Sequence, residues 1–281
     1  MKKLEIYQSL WAMELRNPNV PERSKEEAFA MISVAGFDGA CMDPSVEEIP
    51  ECREYAHLFD VHNLKAMVNA FPHSAEDLAP ILDFAVEIDA TLVNVIGGVM
   101  PIRPEDAVTD VRRWIDEAAD RDMPLLFETH RDGLLNDLFF TLQLMEFVPE
   151  LRLCADLSHF VVDREMRAPI SARDQAYISA VLQRSDCFQG RIASREQIQV
   201  QINFPQHQQW VDIFRGWWTE GMRDWRKRND DKATLAFLCE LGPPPYAITD
   251  ARQDELSDRW RESLTIRDWV RTIWSELENE G

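Results

Sequence analysis

Eight short apolar runs recur along this chain, and most are followed by a longer stretch with the polar–apolar period of a helix. The runs are Leu4–Gln8, Phe37–Met42, Leu64–Asn69, Leu92–Gly97, Pro124–Thr129, Leu151–Asp156, Cys187–Ala193 and Thr234–Glu240. Between them, Pro21–Ala35, Ala75–Ile88, Arg103–Asp120, Leu134–Phe147 and Ser171–Leu182 carry apolar residues close to every three or four positions, the mark of a helix with one buried face. Each strand-plus-helix unit takes about 35 residues, the size of a βαβ element. Alternation of this kind implies a parallel sheet, and eight units imply that it closes. The fold expected is therefore one α/β domain over residues 1–281, a (β/α)8 TIM barrel. There is no internal repeat and no linker rich in Gly or Ser. The nearest thing to an insertion, Ser194–Gln206, follows the seventh strand and is expected to lie over the active-site face.

Charge narrows the partners. Asp and Glu total 50 against 30 Lys and Arg, a net charge of −20. Such a surface repels phosphate backbones, so no nucleic-acid partner is expected. The five cysteines, Cys41, Cys52, Cys154, Cys187 and Cys239, form no CxxC pair, and four of them fall within the apolar runs. Buried reduced thiols and a cytoplasmic location are the expectation. The polar residues Glu5 and Gln8 interrupt the N-terminal apolar residues, and no 18-residue apolar run occurs, so neither a signal peptide nor a membrane span is expected.

In a barrel of this type chemistry belongs to the C-terminal ends of the strands. The fifth run ends Phe127-Glu128-Thr129-His130-Arg131, where Glu128 and His130, two apart, share one face of the strand. The sixth ends Ala155-Asp156-Leu157-Ser158-His159, and a turn after Asp156 returns His159 to the mouth. The eighth ends in Glu240, followed by Leu241-Gly242-Pro243-Pro244-Pro245-Tyr246, a stiff segment that cannot prolong the strand. Singly, each carboxylate is explained by a buried ion pair with an Arg or Lys, or, for Asp156, by capping the next helix. Together, three carboxylates converging on one opening repel strongly, and a divalent cation is the simplest remedy.

These three stretches, in this order, resemble the xylose isomerase-like TIM-barrel family of sugar phosphate isomerases and epimerases, which also includes endonuclease IV-type enzymes. The likeness runs over roughly residues 90–250. It implies that Glu128, Asp156 and Glu240 hold a metal, that Glu128 and Glu240 act as the acid–base pair, and that His159 contacts substrate or metal. Members of the group place a metal-ligating His on the seventh strand in an HxR pattern. Here Gln189 stands in its place and Arg191 matches the Arg. Gln189 can offer only an amide oxygen, so the implied cofactor is one divalent ion in an all-oxygen set, Mn²⁺ or Mg²⁺ rather than Zn²⁺.

The implied reaction is proton abstraction next to the carbonyl of a small keto sugar through a metal-stabilised enediolate. His130, His159 and Arg191 are expected to bind hydroxyls or a negative group, and Trp11 to offer a stacking surface. Alternatives are a dehydratase acting on the same enediolate, an endonuclease IV-like phosphodiesterase, and a non-catalytic sugar-binding barrel. With six His in the chain, the nitrogen-rich zinc cluster of the phosphodiesterase is poorly supplied. Trp210, Trp217, Trp218 and Trp225 are read as packing their helix on the barrel, with a homodimer contact as the alternative. Gly97 and Gly98 are read as points of close backbone approach.

Overall fold

A computed structural model describes residues 2–280. Eight parallel strands close into a barrel in sequence order: β1 Lys3–Ser9, β2 Gly39–Met42, β3 Lys65–Ala70, β4 Val93–Val95, β5 Leu125–Glu128, β6 Leu153–Ala155, β7 Ser185–Gln189 and β8 Thr234–Cys239. The last strand pairs with the first along Lys3–Gln8. Around them lie ten α-helices: α1 Lys25–Ala35, α2 Ile49–Ala56, α3 Leu58–His62, α4 Leu78–Glu87, α5 Pro104–Ala119, α6 Leu138–Phe147, α7 Leu157–Asp163, α8 Ala172–Leu182, α9 Gln208–Arg228 and α10 Arg259–Asn279. This is the expected (β/α)8 barrel, with two helices rather than one after both β2 and β6. No helix among the described residues is long and apolar enough to cross a membrane.

Where boundaries differ from the sequence reading, local chemistry explains them. Helix α1 starts at Lys25, not Pro21, because Ser24 and Glu27 form a capping box that fixes the first turn. Helix α6 starts at Leu138, since Asp137 accepts from the backbone N–H groups of Phe139 and Phe140. Strand β7 ends at Gln189, although the run of buried residues continues through Ala193. At Gly190 the chain passes so close to β8 and α10 that a Cβ would lie 2.8 Å from Phe237 and 2.9 Å from Ile266. Gly97 and Gly98 are also close approaches, the first against Trp114 and the second against the Pro72 carbonyl.

The four tryptophans of α9 are buried within the chain, which removes them as the basis of a dimer contact. Trp218 meets Phe237 of β8 edge-on at 5.3 Å, so α9 is docked directly on the barrel wall. All five cysteines are free and buried, four in strands and Cys52 in α2.

The barrel interior is layered. Tyr7, Cys41, Met67, Leu92, Leu126, Cys154, Cys187, Ala236 and Leu238 fill it with a largely apolar cluster. Two residues further along each strand, on the same face, residue type changes to Ser9, Asp43, Asn69, Asn94, Glu128, Asp156, Gln189 and Glu240. An apolar plug thus carries a polar floor, and the C-terminal loops rise around it. The stretch after β7 does lie over this face. Gln199 grips the loop after β8, accepting from the Gly242 backbone N–H (2.7 Å) and donating to the Gly242 carbonyl (3.0 Å).

Candidate active site at the barrel mouth

A cavity of about 370 Å³ opens above the polar floor, lined by Trp11, Asp43, Glu48, Phe71, Ile96, Glu128, His130, Arg191, Glu240 and Tyr246. Strand period places its charged groups. Glu128 and His130 leave β5 on the same face, as their spacing predicts, and Glu240 follows the end of β8. Trp11 sits in a 3₁₀ turn directly after β1 and meets Tyr246 edge-on, with ring centroids 5.3 Å apart.

The floor is one connected hydrogen-bond network. Asn69 donates to Asp43 Oδ1 (2.8 Å) and to Glu240 Oε1 (3.4 Å). Its Oδ1 accepts from Asn94 Nδ2 (2.9 Å), which also donates to Glu128 Oε2 (2.6 Å). Gln189 Nε2 donates to the same Glu128 oxygen (2.6 Å). Oε2 of Glu128 is therefore tied by two amide N–H groups, while Oε1 is buried without a donor.

Arg191 provides the cation of the second half. Its Nη1 lies 2.9 Å from Asp156 Oδ2 and its Nη2 3.2 Å from Glu240 Oε2, and Nε donates to the Glu240 carbonyl at 3.0 Å. The guanidinium faces Tyr246 at 4.9 Å and Trp11 at 5.8 Å. The ion-pair explanation offered for single carboxylates thus holds for Asp156 and Glu240, but Glu128 is held by neutral amides. Asp156 also caps α7, its Oδ1 accepting from the Ser158 backbone N–H (3.0 Å) and hydroxyl (2.5 Å). Its Oδ2, although beside Arg191, receives no aligned hydrogen bond.

Of the four carboxyls here, those of Glu128, Asp156 and Glu240 share this one guanidinium, while Asp43 is offset by the charge of Lys25. The electrostatics reflect the shortage. Burial, reinforced by the charges of Glu240 and Asp156, drives the Glu128 carboxyl well above its ordinary range. Burial also pushes Glu240 up to about 8, with Asp43 and Asp156 adding to the shift and Arg191 opposing it. Burial pushes Asp43 up to about 7. Asp156 behaves oppositely: burial pushes it up, but Arg191 close by holds it below the usual carboxylate range. Burial keeps both His130 and His159 neutral.

The residues fit a bound cation. Buried oxygens lacking any hydrogen-bond donor or cation include Asn94 Oδ1, Glu128 Oε1 and Gln189 Oε1, all on this floor. Carboxylate oxygens of Glu128, Asp156 and Glu240 lie within 4.8 Å of one another, and ligand atoms of Glu128, His130 and His159 form a second such group. Buried acceptors without donors call for a cation or a proton.

Of the residues expected from sequence, Trp11, Glu128, His130, Arg191 and Glu240 line the cavity, while Asp156 and Gln189 lie in its floor. His159 is fully buried in α7 and is not part of the wall. It packs behind His130 with ring centroids 4.1 Å apart, its Nε2 lying 3.4 Å from Asp156 Oδ2 and 3.3 Å from Arg191 Nη1. Sequence reasoning missed Asp43, Asn69, Asn94 and Tyr246 as site residues. Counting two residues on from each interior apolar position identifies the first two and Asn94.

No protein-family model matches the chain, and no curated protein matches it. Solved structures do. A D-allulose 3-epimerase from Methylomonas sp. is 15% identical, with 97% of this chain and 99% of that one covered at a TM-score of 0.62. An L-ribulose 3-epimerase is 12% identical, covering 99% and 96% at 0.63. A probable 3-DHS dehydratase from Bacillus anthracis is 14% identical, covering 94% and 98% at 0.56. At such identities the likeness establishes the architecture alone: the chain shares the barrel fold of these solved structures.

Proposed function

We propose that the protein is a divalent-metal-dependent isomerase or epimerase of a small keto sugar, moving a proton on a carbon next to the carbonyl. The observation that carries this reading is the set of buried, donor-less oxygens around Glu128 and Gln189 in a floor where carboxyls outnumber cations. Glu128, Asp156, Gln189 and Glu240 would hold the ion, whose contribution when bound is Lewis-acid polarisation of the carbonyl and the neighbouring hydroxyl. The chain's own groups do the rest. Glu128 shares Oε2 between the amides and the ion, which leaves Oε1, without a donor, as its free base oxygen. The C–H bond breaks toward one carboxylate, the electron pair enters the enediolate, and a carboxyl returns a proton to the same or a neighbouring carbon. Glu240, which also lines the cavity, is the second member of the pair. Arg191 and the neutral His130 bind substrate oxygens, and the Trp11–Tyr246 wall packs on the sugar's C–H face and excludes water.

Expulsion of a β-hydroxyl from the same enediolate would make the protein a dehydratase, and one assay separates the two. In D₂O with Mn²⁺-loaded protein, NMR of D-fructose, D-tagatose or D-ribulose should show deuterium entering the carbon next to the carbonyl with the carbon chain intact. A dehydratase would instead give a deoxy-dicarbonyl product. Metal-loaded protein that exchanges no deuterium into any of these sugars would count against the assignment.

A further inference from the structure

Two asparagines in the floor belong to no expected role. Asn69 and Asn94 are fully buried and are register partners in the parallel ladder between β3 and β4, so their side chains stand side by side at the same height. We propose that they form a two-amide bridge that positions Glu128 and Glu240 relative to each other, resting on the reading above of these carboxylates as the metal-holding, proton-moving pair.

The connectivity carries the argument. From Glu240 Oε1 the path runs to Asn69 Nδ2 (3.4 Å), through its Oδ1 to Asn94 Nδ2 (2.9 Å), and on to Glu128 Oε2 (2.6 Å). The amide N–H groups of both asparagines are used: Asn69 donates to Glu240 along the path and to Asp43 beside it, and Asn94 donates along the path to Asn69 and to Glu128. Only an amide offers a donor pair and an acceptor without adding charge. A carboxylate here would deepen the repulsion among the acidic groups, and an apolar side chain would leave Glu128 Oε2 with a single donor, from Gln189. Asn94 at the end of the bridge, together with Gln189, ties Oε2 with two N–H groups and so leaves Oε1 as the free oxygen of Glu128. Partners of this type, which orient a ligand without touching the ion, are worth roughly 10–100-fold in metal affinity.

The test titrates Mn²⁺ into the metal-stripped full chain by calorimetry, alongside apo-protein melting curves. Asn94→Ala and Asn69→Ala should each weaken Mn²⁺ binding by ~10-fold or more. Asn94→Leu, which keeps the branching and heavy-atom count of the side chain, should do the same and carries the test if the smaller residue fails to fold. Because the two act as one bridge, the double variant should lose clearly less than the product of the single losses. Folded variants with a lower melting temperature but unchanged Mn²⁺ affinity would reduce the asparagines to structural polar pairs and overturn the proposal. A double loss equal to the product would overturn the bridge. Wild-type protein that binds no Mn²⁺ would instead remove the functional reading beneath it, and the proposal with it.

Discussion

At position 189 the seventh strand ends in an amide that works in two directions: Nε2 donates to Glu128, and Oε1 is left buried without a donor. An imidazole there would supply a softer nitrogen ligand. Gln189→His should therefore move metal preference from Mn²⁺ toward Zn²⁺ or Co²⁺ in competition titrations. An unchanged preference would place residue 189 outside the ligand set. Glu240→Gln keeps the shape of the side chain while removing a base and a charge. At saturating Mn²⁺ it should still bind keto sugar but lose roughly 10²–10⁴-fold in deuterium exchange, and undiminished exchange would mean that another group moves the proton. Glu128, Asp156 and Glu240 were legible in the sequence because three carboxylates ending apolar runs converge on one opening, and Arg191 through the likeness of its strand to the HxR pattern. Asn69 and Asn94 were not, because an amide at a strand end looks the same whether it starts a turn or finishes a barrel floor. Asp43 was hidden by Pro44, which makes it read as a turn residue. The burial of His159 depends on α7 beginning directly after Asp156, a seven-residue helix too short to show a period.

The loops after β7 and β8 set what the mouth accepts. Barrels often bind phosphate there through backbone N–H groups. In this chain Pro243, Pro244 and Pro245 have none, and the N–H of Gly242 is committed to Gln199. The cavity wall adds Asp43, Glu48, Glu128 and Glu240 against Arg191 alone. Phosphorylated keto sugars should thus bind the Mn²⁺ form at least about tenfold more weakly than their unphosphorylated counterparts, since like charges brought together cost several kcal/mol. Equal or tighter binding of D-fructose 6-phosphate than of D-fructose would contradict this. Behind these loops, α9 depends on its tryptophans. Trp218→Ala removes the contact with Phe237 and should destabilise the fold by about 3–5 kcal/mol in urea unfolding. A helix carrying four tryptophans was visible from spacing. The exact end of β7 was not, because burial continues past the last ladder pair.

Across the whole molecule, the eightfold alternation was sufficient to read a closed parallel barrel, because each unit is long enough to bury its own strand. The extra helices after β2 and β6 and the closing helix α10 were not read, since α2, α3 and α7 are too short to show a period and α10 lies beyond the last strand. The balance of charge at the mouth also acts on the molecule as a whole. In the metal-free protein, Glu240 is raised to about 8 and Asp43 to about 7, and Glu128 is raised well above its ordinary value. Carboxyls raised in the folded state bind protons that the unfolded chain has released. Their stabilising contribution is complete below the ordinary carboxylate values and is lost as pH rises through about 7 to about 8. A divalent ion needs the same groups deprotonated, so its stabilisation grows over the window in which theirs fades. The melting temperature of the stripped protein, followed from about pH 5 to about pH 8 with and without Mn²⁺, reads both effects at once. The expected result is a falling curve without metal and a gap to the Mn²⁺ curve that widens with pH, with about one ion retained per chain. Coincident curves at every pH, with no ion retained, would contradict a carboxylate floor built to hold a metal.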